Sequence, residues 1–263
     1  MRQQHRRFAS RFGFIATALA LAVVATSAQS ADMPRDGRAL VQRMHDAYTG
    51  KWFRNLTFEQ KTTIMRPDGT KTEQTWFESY SVPGKLRIDV APLSDGNGTM
   101  QLPDSVIVVR GGKVNTTRPG GNPFLPFVGD LYAQSLDATV SELAPQKYDL
   151  AKIHATDRAG RRTFVVGTAT KDDLSVPQFW VDAERLVVVR ALIPSGAAGS
   201  PMLDIALDDY VATGGGWVAT KVTMTSGGAV RQIEEYTKVR TNVDLDPALF
   251  DTAQWSTARH WAK

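Results

Sequence analysis

The chain has 263 residues and no cysteine. This absence excludes structural disulfides, thiolate zinc sites, cysteine catalysis and lipidation on an N-terminal cysteine. Long apolar runs are also scarce. The longest one, residues 15–25 (IATALALAVVA), spans eleven residues and is broken only by Thr17, whereas a membrane-spanning helix needs about 20. We therefore expect no transmembrane segment in the mature chain.

Acidic residues are missing from the first 31 positions, where four arginines give a positive charge and the first carboxylate is Asp32. The rest of the chain has 27 basic and 27 acidic residues, so it is formally neutral. The basic pI of 9.3 therefore belongs largely to the N-terminus. A nucleic-acid-binding domain would carry its basic excess on the folded part, so the sequence argues against that class.

The order of features in the first 31 residues is typical of a secretory signal peptide. A basic region precedes the apolar run, and the small residues TSAQSA follow it. We expect cleavage after Ala28, Ser30 or Ala31. This interpretation divides the chain into a signal peptide at residues 1–31 and a single exported domain at residues 32–263.

Motifs that carry chemistry are few. The histidines of the mature chain, His45, His154 and His260, lie in separate segments without metal-ligand spacing. There is no GxSxG motif and no glycine-rich phosphate loop. Neighbouring acids such as Glu234 and Glu235 point to opposite faces of a strand, so the two cannot act as a carboxylate pair. We predict no catalytic residue, no metal site and no cofactor.

Apolar spacing predicts one helix at residues 38–48, ended by Gly50, and a second, short helix at residues 124–136 with Pro126 near its start. Elsewhere the apolar period is two, which predicts strands joined by short turns. The predicted strands are residues 56–65, 72–82, 85–90, 105–110, 148–155, 162–167, 178–181, 186–193, 202–211, 217–225 and 230–239, with a hairpin partner starting near Val114.

The first three strands each place apolar side chains on one face, which another layer must cover. Two short helices look insufficient to cover some eleven strands. The pattern by itself leaves two outcomes open: a tightly closed barrel, or a sheet that encloses an incompletely filled cavity for an apolar ligand.

Several segments, taken in order, resemble the LolA/LolB-like periplasmic lipoprotein carriers, a superfamily that also includes the RseB sensor and LppX-type lipid carriers. They are the signal peptide, an amphipathic helix, the strand with TFEQK, a hairpin ending at Pro83, SVIVVRGGKV, NPFLPFVGDL, FWVDAERLVVVR and NVDLDPALFD. The likeness covers roughly residues 36–251. It implies a mainly β, large curved antiparallel sheet that forms an unclosed half-barrel of about eleven strands, with an N-terminal helix and a short lid helix over an apolar cavity.

Under this resemblance, the inward apolar positions of the first strands are candidate ligand-binding residues: Phe58, Ile64, Trp76, Tyr80, Leu86, Ile88 and Val90. The candidate lid residues are Phe124, Leu125, Phe127, Val128, Leu131 and Tyr132. The family's carrier has an arginine immediately before the hairpin proline that helps to latch the lid, and this chain has Val82 there. We therefore predict a lid that is held only by apolar contacts.

The resemblance implies a soluble periplasmic carrier or binder of the acyl chain of a lipid or lipoprotein, without catalysis. Its partners would include a membrane donor complex and an outer-membrane acceptor. One alternative is a periplasmic regulatory protein of RseB type that binds another protein. A third is an envelope hydrolase, which lacks any visible nucleophile–base arrangement.

Overall fold

The computed structural model describes residues 32–196 and 200–262. The predicted signal peptide therefore lies outside the described residues. The described chain is dominated by one antiparallel sheet of 13 strands. The strands are β1 (Asn55–Met65), β2 (Lys71–Ser81), β3 (Lys85–Val90), β4 (Asn97–Gln101), β5 (Ser105–Arg110), β6 (Lys113–Pro119), β7 (Ile153–Arg158), β8 (Arg161–Val166), β9 (Gln178–Asp182), β10 (Val188–Pro194), β11 (Met202–Thr213), β12 (Gly216–Ser226) and β13 (Ala229–Thr241).

The strand order is β6-β5-β4-β3-β2-β1-β13-β12-β11-β10-β9-β8-β7. The chain runs outward from β1 to the edge strand β6, crosses to the opposite edge at β7, and returns strand by strand to β13. There β13 pairs with β1, so that Gln60 lies opposite Tyr236 on one side and Trp76 on the other. The edges β6 and β7 do not pair with each other, and the sheet is an open half-barrel, as predicted.

The sheet has two more strands than the eleven or so that were predicted. One addition is β4, whose sequence NGTMQ has the composition of a turn. Position 98 of this strand requires glycine, because a Cβ there would lie 2.0 Å from the Ile88 carbonyl oxygen and 2.8 Å from the Trp255 ring. The other is the edge strand β6. The sequence predicted its start near Val114 as a hairpin partner but not its extent, because the strand is exposed along its whole length and has no apolar alternation.

Helix α1 (Gly37–Tyr48) confirms the first predicted helix. The Asp36 side chain caps it by accepting a hydrogen bond from the Ala39 N–H at 2.7 Å. Leu40, Val41 and Met44 form its buried face. Gly37 is required at its start, because a Cβ would lie 2.4 Å from a methyl carbon of Val166.

The prediction of one short helix at residues 124–136 is wrong. Residues 124–136 contain a π-helical turn (Pro126–Asp130) followed directly by the short helix α2 (Leu131–Ala133). A further helix, α3 (Leu136–Leu143), was not predicted and begins where the Ser135 hydroxyl accepts a hydrogen bond from the Ala138 N–H. We refer to residues 124–133 as the lid segment.

The main core lies between the inner face of the sheet and the helices. The outer face of β3–β5 carries a smaller core, in which Met100 and Val109 pack against Trp255 of the C-terminal segment. Arg87 fixes this segment by stacking on the Trp255 ring at 3.8 Å and donating to the Leu249 and Trp255 carbonyl oxygens. The C-terminal chain is therefore part of the folded domain.

Candidate functional site

The inner face of the sheet and the lid segment enclose a cavity of about 830 Å³. Pockets that bind small-molecule ligands typically have volumes of about 300–1,000 Å³ and mostly apolar walls. The cavity has such walls, with a few polar side chains among them. Of the two outcomes that the apolar pattern left open, the sheet that encloses an unfilled cavity is the one observed.

Six of the seven predicted ligand-binding residues line this cavity: Phe58, Trp76, Tyr80, Leu86, Ile88 and Val90. Phe58 lies on β1. The others are spaced by multiples of two along β2 and β3, as expected. Ile64 does not line the cavity. It sits one residue from the end of β1, opposite Thr72 at the hairpin, beyond the reach of the cavity.

Five of the six predicted lid residues line the opposite wall: Phe124, Leu125, Phe127, Val128 and Tyr132. Leu131 is the exception, because it is buried in the main core instead. Phe127 also contacts the aromatic rings of Tyr148 and Phe179. The lid segment is thus packed on the core at one side and faces the cavity on the other.

Sequence reasoning missed the half of the wall that comes from the second set of strands. These strands were predicted, but their inward faces were not assigned, because apolar side chains occur on both faces. The additional apolar residues in the cavity wall include Val187, Ile193, Leu203, Leu207, Tyr210, Trp217, Val218, Ala219, Val222 and Met224.

Asp130 contradicts the prediction that only apolar contacts hold the lid segment. Its Oδ1 accepts a hydrogen bond from the Tyr80 hydroxyl at 2.5 Å and another from the Gly84 N–H at 2.8 Å. Gly129 permits this approach, since a Cβ there would lie 2.7 Å from the Tyr80 hydroxyl oxygen. Although Val82 has no donor to offer, a polar latch joins the lid segment to β2 and to the hairpin that follows it.

The Asp130 carboxyl of the latch has a raised pKa. Asp130 is fully buried, and its Oδ2 has no hydrogen-bond partner among the described residues. Burial raises the Asp130 pKa to about 7; the negative charge of Glu142 also raises it, and the hydrogen bonds from Tyr80 and Gly84 lower it. The carboxyl that holds the lid segment therefore titrates near neutral pH.

Tyr132 anchors the other end of the lid segment. Its hydroxyl donates to the Leu186 carbonyl oxygen at 3.0 Å, and its ring stacks on Trp52 with 3.8 Å between the ring centres. Tyr48 of α1 contacts both of these rings edge-on. This aromatic cluster connects α1, the lid segment and the turn before β10.

No group of three or more histidine or acidic side chains within residues 32–196 and 200–262 has the arrangement of a metal site. In the same part of the chain, no helix combines the length and apolar character needed to cross a membrane.

No family model matches the sequence, and no curated protein is detectably similar to it. Solved structures are similar in fold. A DUF1329 family protein from Desulfovibrio piger superposes with a TM-score of 0.56 at 14% identity, covering 83% of this chain and 97% of that one. A LolA superfamily protein from Nitrosomonas europaea gives 0.53 at 8% identity, covering 80% and 96%.

A third structure is a Vibrio parahaemolyticus domain described as an outer membrane lipoprotein-sorting protein. It superposes with a TM-score of 0.51 at 10% identity and covers 84% of this chain and 98% of its own. At these identities the likeness concerns the fold. The chain has a LolA-like fold, as its resemblance to that superfamily predicted.

Proposed function

We propose that this protein is exported to the periplasm, where it carries or binds the acyl chain of a lipid or lipoprotein. The observation that carries the proposal is the cavity of about 830 Å³, walled by apolar side chains and covered by a separate segment. Export is supported by the signal peptide predicted at residues 1–31. The LolA-like fold is consistent with both.

Burial of an acyl chain supplies the binding energy. Each buried CH₂ group contributes about 0.8 kcal/mol, so a chain of about 16 carbons gains roughly 12 kcal/mol before ordering costs. A carrier must also release its ligand, which requires a cover that can open. A lid segment latched through a single carboxyl oxygen of Asp130 suits that requirement.

Transfer of an acyl chain also needs a source and a destination. A membrane complex would donate the ligand and an outer-membrane protein would accept it, as the resemblance to the carriers implies. The ligand-binding residues would be the six lining residues on β1–β3 together with the five on the lid segment.

The proposal is tested by purifying the mature protein natively from the periplasm of an expressing bacterium and analysing its organic extract by mass spectrometry. A mock purification from cells without the protein is the control. We expect an acyl lipid or lipoprotein in stoichiometric amount that is absent from the control. An extract identical to the control, together with a stably co-purifying protein, would instead support the RseB-type alternative.

A further inference from the structure

One part of the cavity wall is polar and acidic. It lies on the inner face of the neighbouring strands β2, β1 and β13, where Gln60 sits in register between Trp76 and Tyr236. We call it the acidic patch and define it by Gln74, Trp76, Glu78, Gln232, Glu234 and Tyr236, all of which line the cavity. Arg110 and Arg118 also line the cavity, from β5 and β6, but neither forms an ion pair with these carboxyls. Two unpaired carboxyls in a mostly apolar enclosure need an explanation, because burying a charged group is costly.

Within the acidic patch, Glu234 has its hydrogen bonds satisfied by the protein itself. Its Oε1 accepts from the Gln232 side-chain amide at 2.6 Å, and its Oε2 accepts from the Tyr236 hydroxyl at 2.6 Å. Burial raises the pKa of Glu234, and these donors act in the opposite direction. Glu234 therefore has no need of a ligand, and its donors are not free for a second carboxyl.

Glu78 is in the opposite situation. Its side chain is 6% exposed and lines the cavity, yet no donor among the described residues hydrogen-bonds its carboxyl and no basic side chain there pairs with it. Burial, together with the charge of Glu234, raises its pKa well above the ordinary value. The amide oxygen of Gln60 on the adjoining strand is also buried without a donor. The Glu78 carboxyl and the Gln60 amide oxygen are therefore hydrogen-bond acceptors without a donor among the described residues.

The aromatic side chains of the acidic patch give a second indication of which chemical group would bind beside Glu78. Trp76 and Tyr236 flank Gln60 on the two neighbouring strands, and the Trp76 Nε1–H is already donated to Gln74 at 2.9 Å. Phe58 covers one face of the Tyr236 ring, with 4.2 Å between the ring centres. An aromatic ring face that stays open next to a carboxylate attracts organic ammonium groups. The lid segment, on the other side of the cavity, contributes mainly apolar residues.

We propose that Glu78, with the aromatic rings of Trp76 and Tyr236, forms a binding site for a protonated amine on an amphiphilic ligand whose hydrocarbon part occupies the cavity. This proposal rests on the proposed function, and it narrows the ligand to an amine-bearing amphiphile. The ammonium would donate to Glu78, which would release its proton to water as the cation binds, because an adjacent positive charge lowers the pKa of a buried acid. A ligand carboxylate at the same depth would find no counter-ion beside the two acids, and a buried charge without a counter-ion is costly.

The test is competition for the cavity by three amphiphiles of equal chain length: dodecylamine, dodecanol and dodecanoic acid. Each displaces the uncharged fluorophore N-phenyl-1-naphthylamine from the mature protein. The variants are Glu78→Gln, which keeps the shape of the side chain but cannot ionise, and Glu59→Gln as matched control. Glu59 is on β1 with its carboxylate paired to Lys238 outside the cavity.

We expect the parent and the Glu59→Gln variant to bind dodecylamine at least about tenfold more tightly than dodecanoic acid, with dodecanol between them. In Glu78→Gln the preference should fall to about threefold or less while the fluorophore still binds. Equal affinities in the parent, or a preference that survives in Glu78→Gln, would overturn the amine site alone. Failure of the fluorophore to bind the parent would instead count against the proposed function.

Discussion

The Tyr80 hydroxyl donates a hydrogen bond to Asp130 Oδ1 at 2.5 Å, across 50 positions of sequence. Both side chains are almost fully buried, so water does not compete for this bond. It ties the strand that forms one wall of the cavity to the segment that covers it. Opening the cavity by moving the lid segment requires this bond to break.

Replacing Tyr80 by phenylalanine should loosen the lid segment. The variant removes the donor and leaves Asp130 with one bond fewer, at a cost of about 1–3 kcal/mol for a buried group. Hydrogen exchange of the amides at residues 127–133 should become faster than in the parent. Tyr236→Phe is the matched control, since Tyr236 donates to Glu234 within the sheet and not to the lid segment. Equal exchange of these amides in the two variants would contradict the latch.

Asp130 should make folding stability fall as the pH rises. Its folded-state pKa of about 7 is above its ordinary value of 3.8, so between these values the folded protein keeps a proton that the unfolded chain loses. The contribution is complete below about pH 4 and is lost towards pH 7. Asp130→Asn cannot titrate, yet it still offers an oxygen to Tyr80 and Gly84.

The measurement for Asp130 is the free energy of unfolding of the parent and of Asp130→Asn across this pH range. We expect the parent to lose stability relative to the variant by up to about 1.4 kcal/mol per pH unit. Parallel curves for the two proteins would show that Asp130 does not titrate between these pH values.

Asp89 should be essential for holding the C-terminal segment on the outer face. Its carboxylate accepts from Arg87 and from His260 Nε2, and the Arg87–Asp89 side chains are only 3% and 6% exposed. Burial acts to raise the Asp89 pKa, but the hydrogen bonds from His260 and Arg87 lower it overall. Stability from this group is therefore present above the ordinary carboxyl pKa and is lost as the pH falls below it.

Asp89→Asn leaves the Arg87 charge buried without its counter-ion, which costs about 3–5 kcal/mol. The control is Asp244→Asn, which breaks an ion pair with Arg259 whose side chains are 88% and 67% exposed and should cost less than about 1 kcal/mol. Denaturant unfolding of both variants checks this. Similar losses in the two would mean that the buried pair contributes no more than a surface one.

The sequence predicts those features whose pattern is local. The spacing of Leu40, Val41 and Met44 predicts α1, and the alternation of Leu86, Ile88 and Val90 predicts which side chains line the cavity. Strand β4 escapes such reasoning because Gly98 is selected by contacts with Ile88 and Trp255, the latter far along the chain.

Contacts between residues far apart in the sequence are the second kind of feature that the sequence does not predict. Glu234 looks unremarkable beside Glu235 in sequence, since adjacent strand residues point to opposite faces. Its significance comes from Glu78, which strand register brings to the same inner face. In the same way, neither Tyr80 nor Asp130 reveals the latch, because nothing local in either segment specifies that the two will meet.

Binding of N-phenyl-1-naphthylamine to the parent, Ile88→Glu and Ile64→Glu tests most directly whether the cavity holds an apolar ligand. Ile88 lines the cavity and Ile64 does not. We predict micromolar binding to the parent and to Ile64→Glu, and binding at least about tenfold weaker to a folded Ile88→Glu, because a carboxylate in an apolar cavity disfavours the probe. Absence of binding to the parent, together with unfolding of Ile88→Glu, would contradict the account and identify this region as solid core.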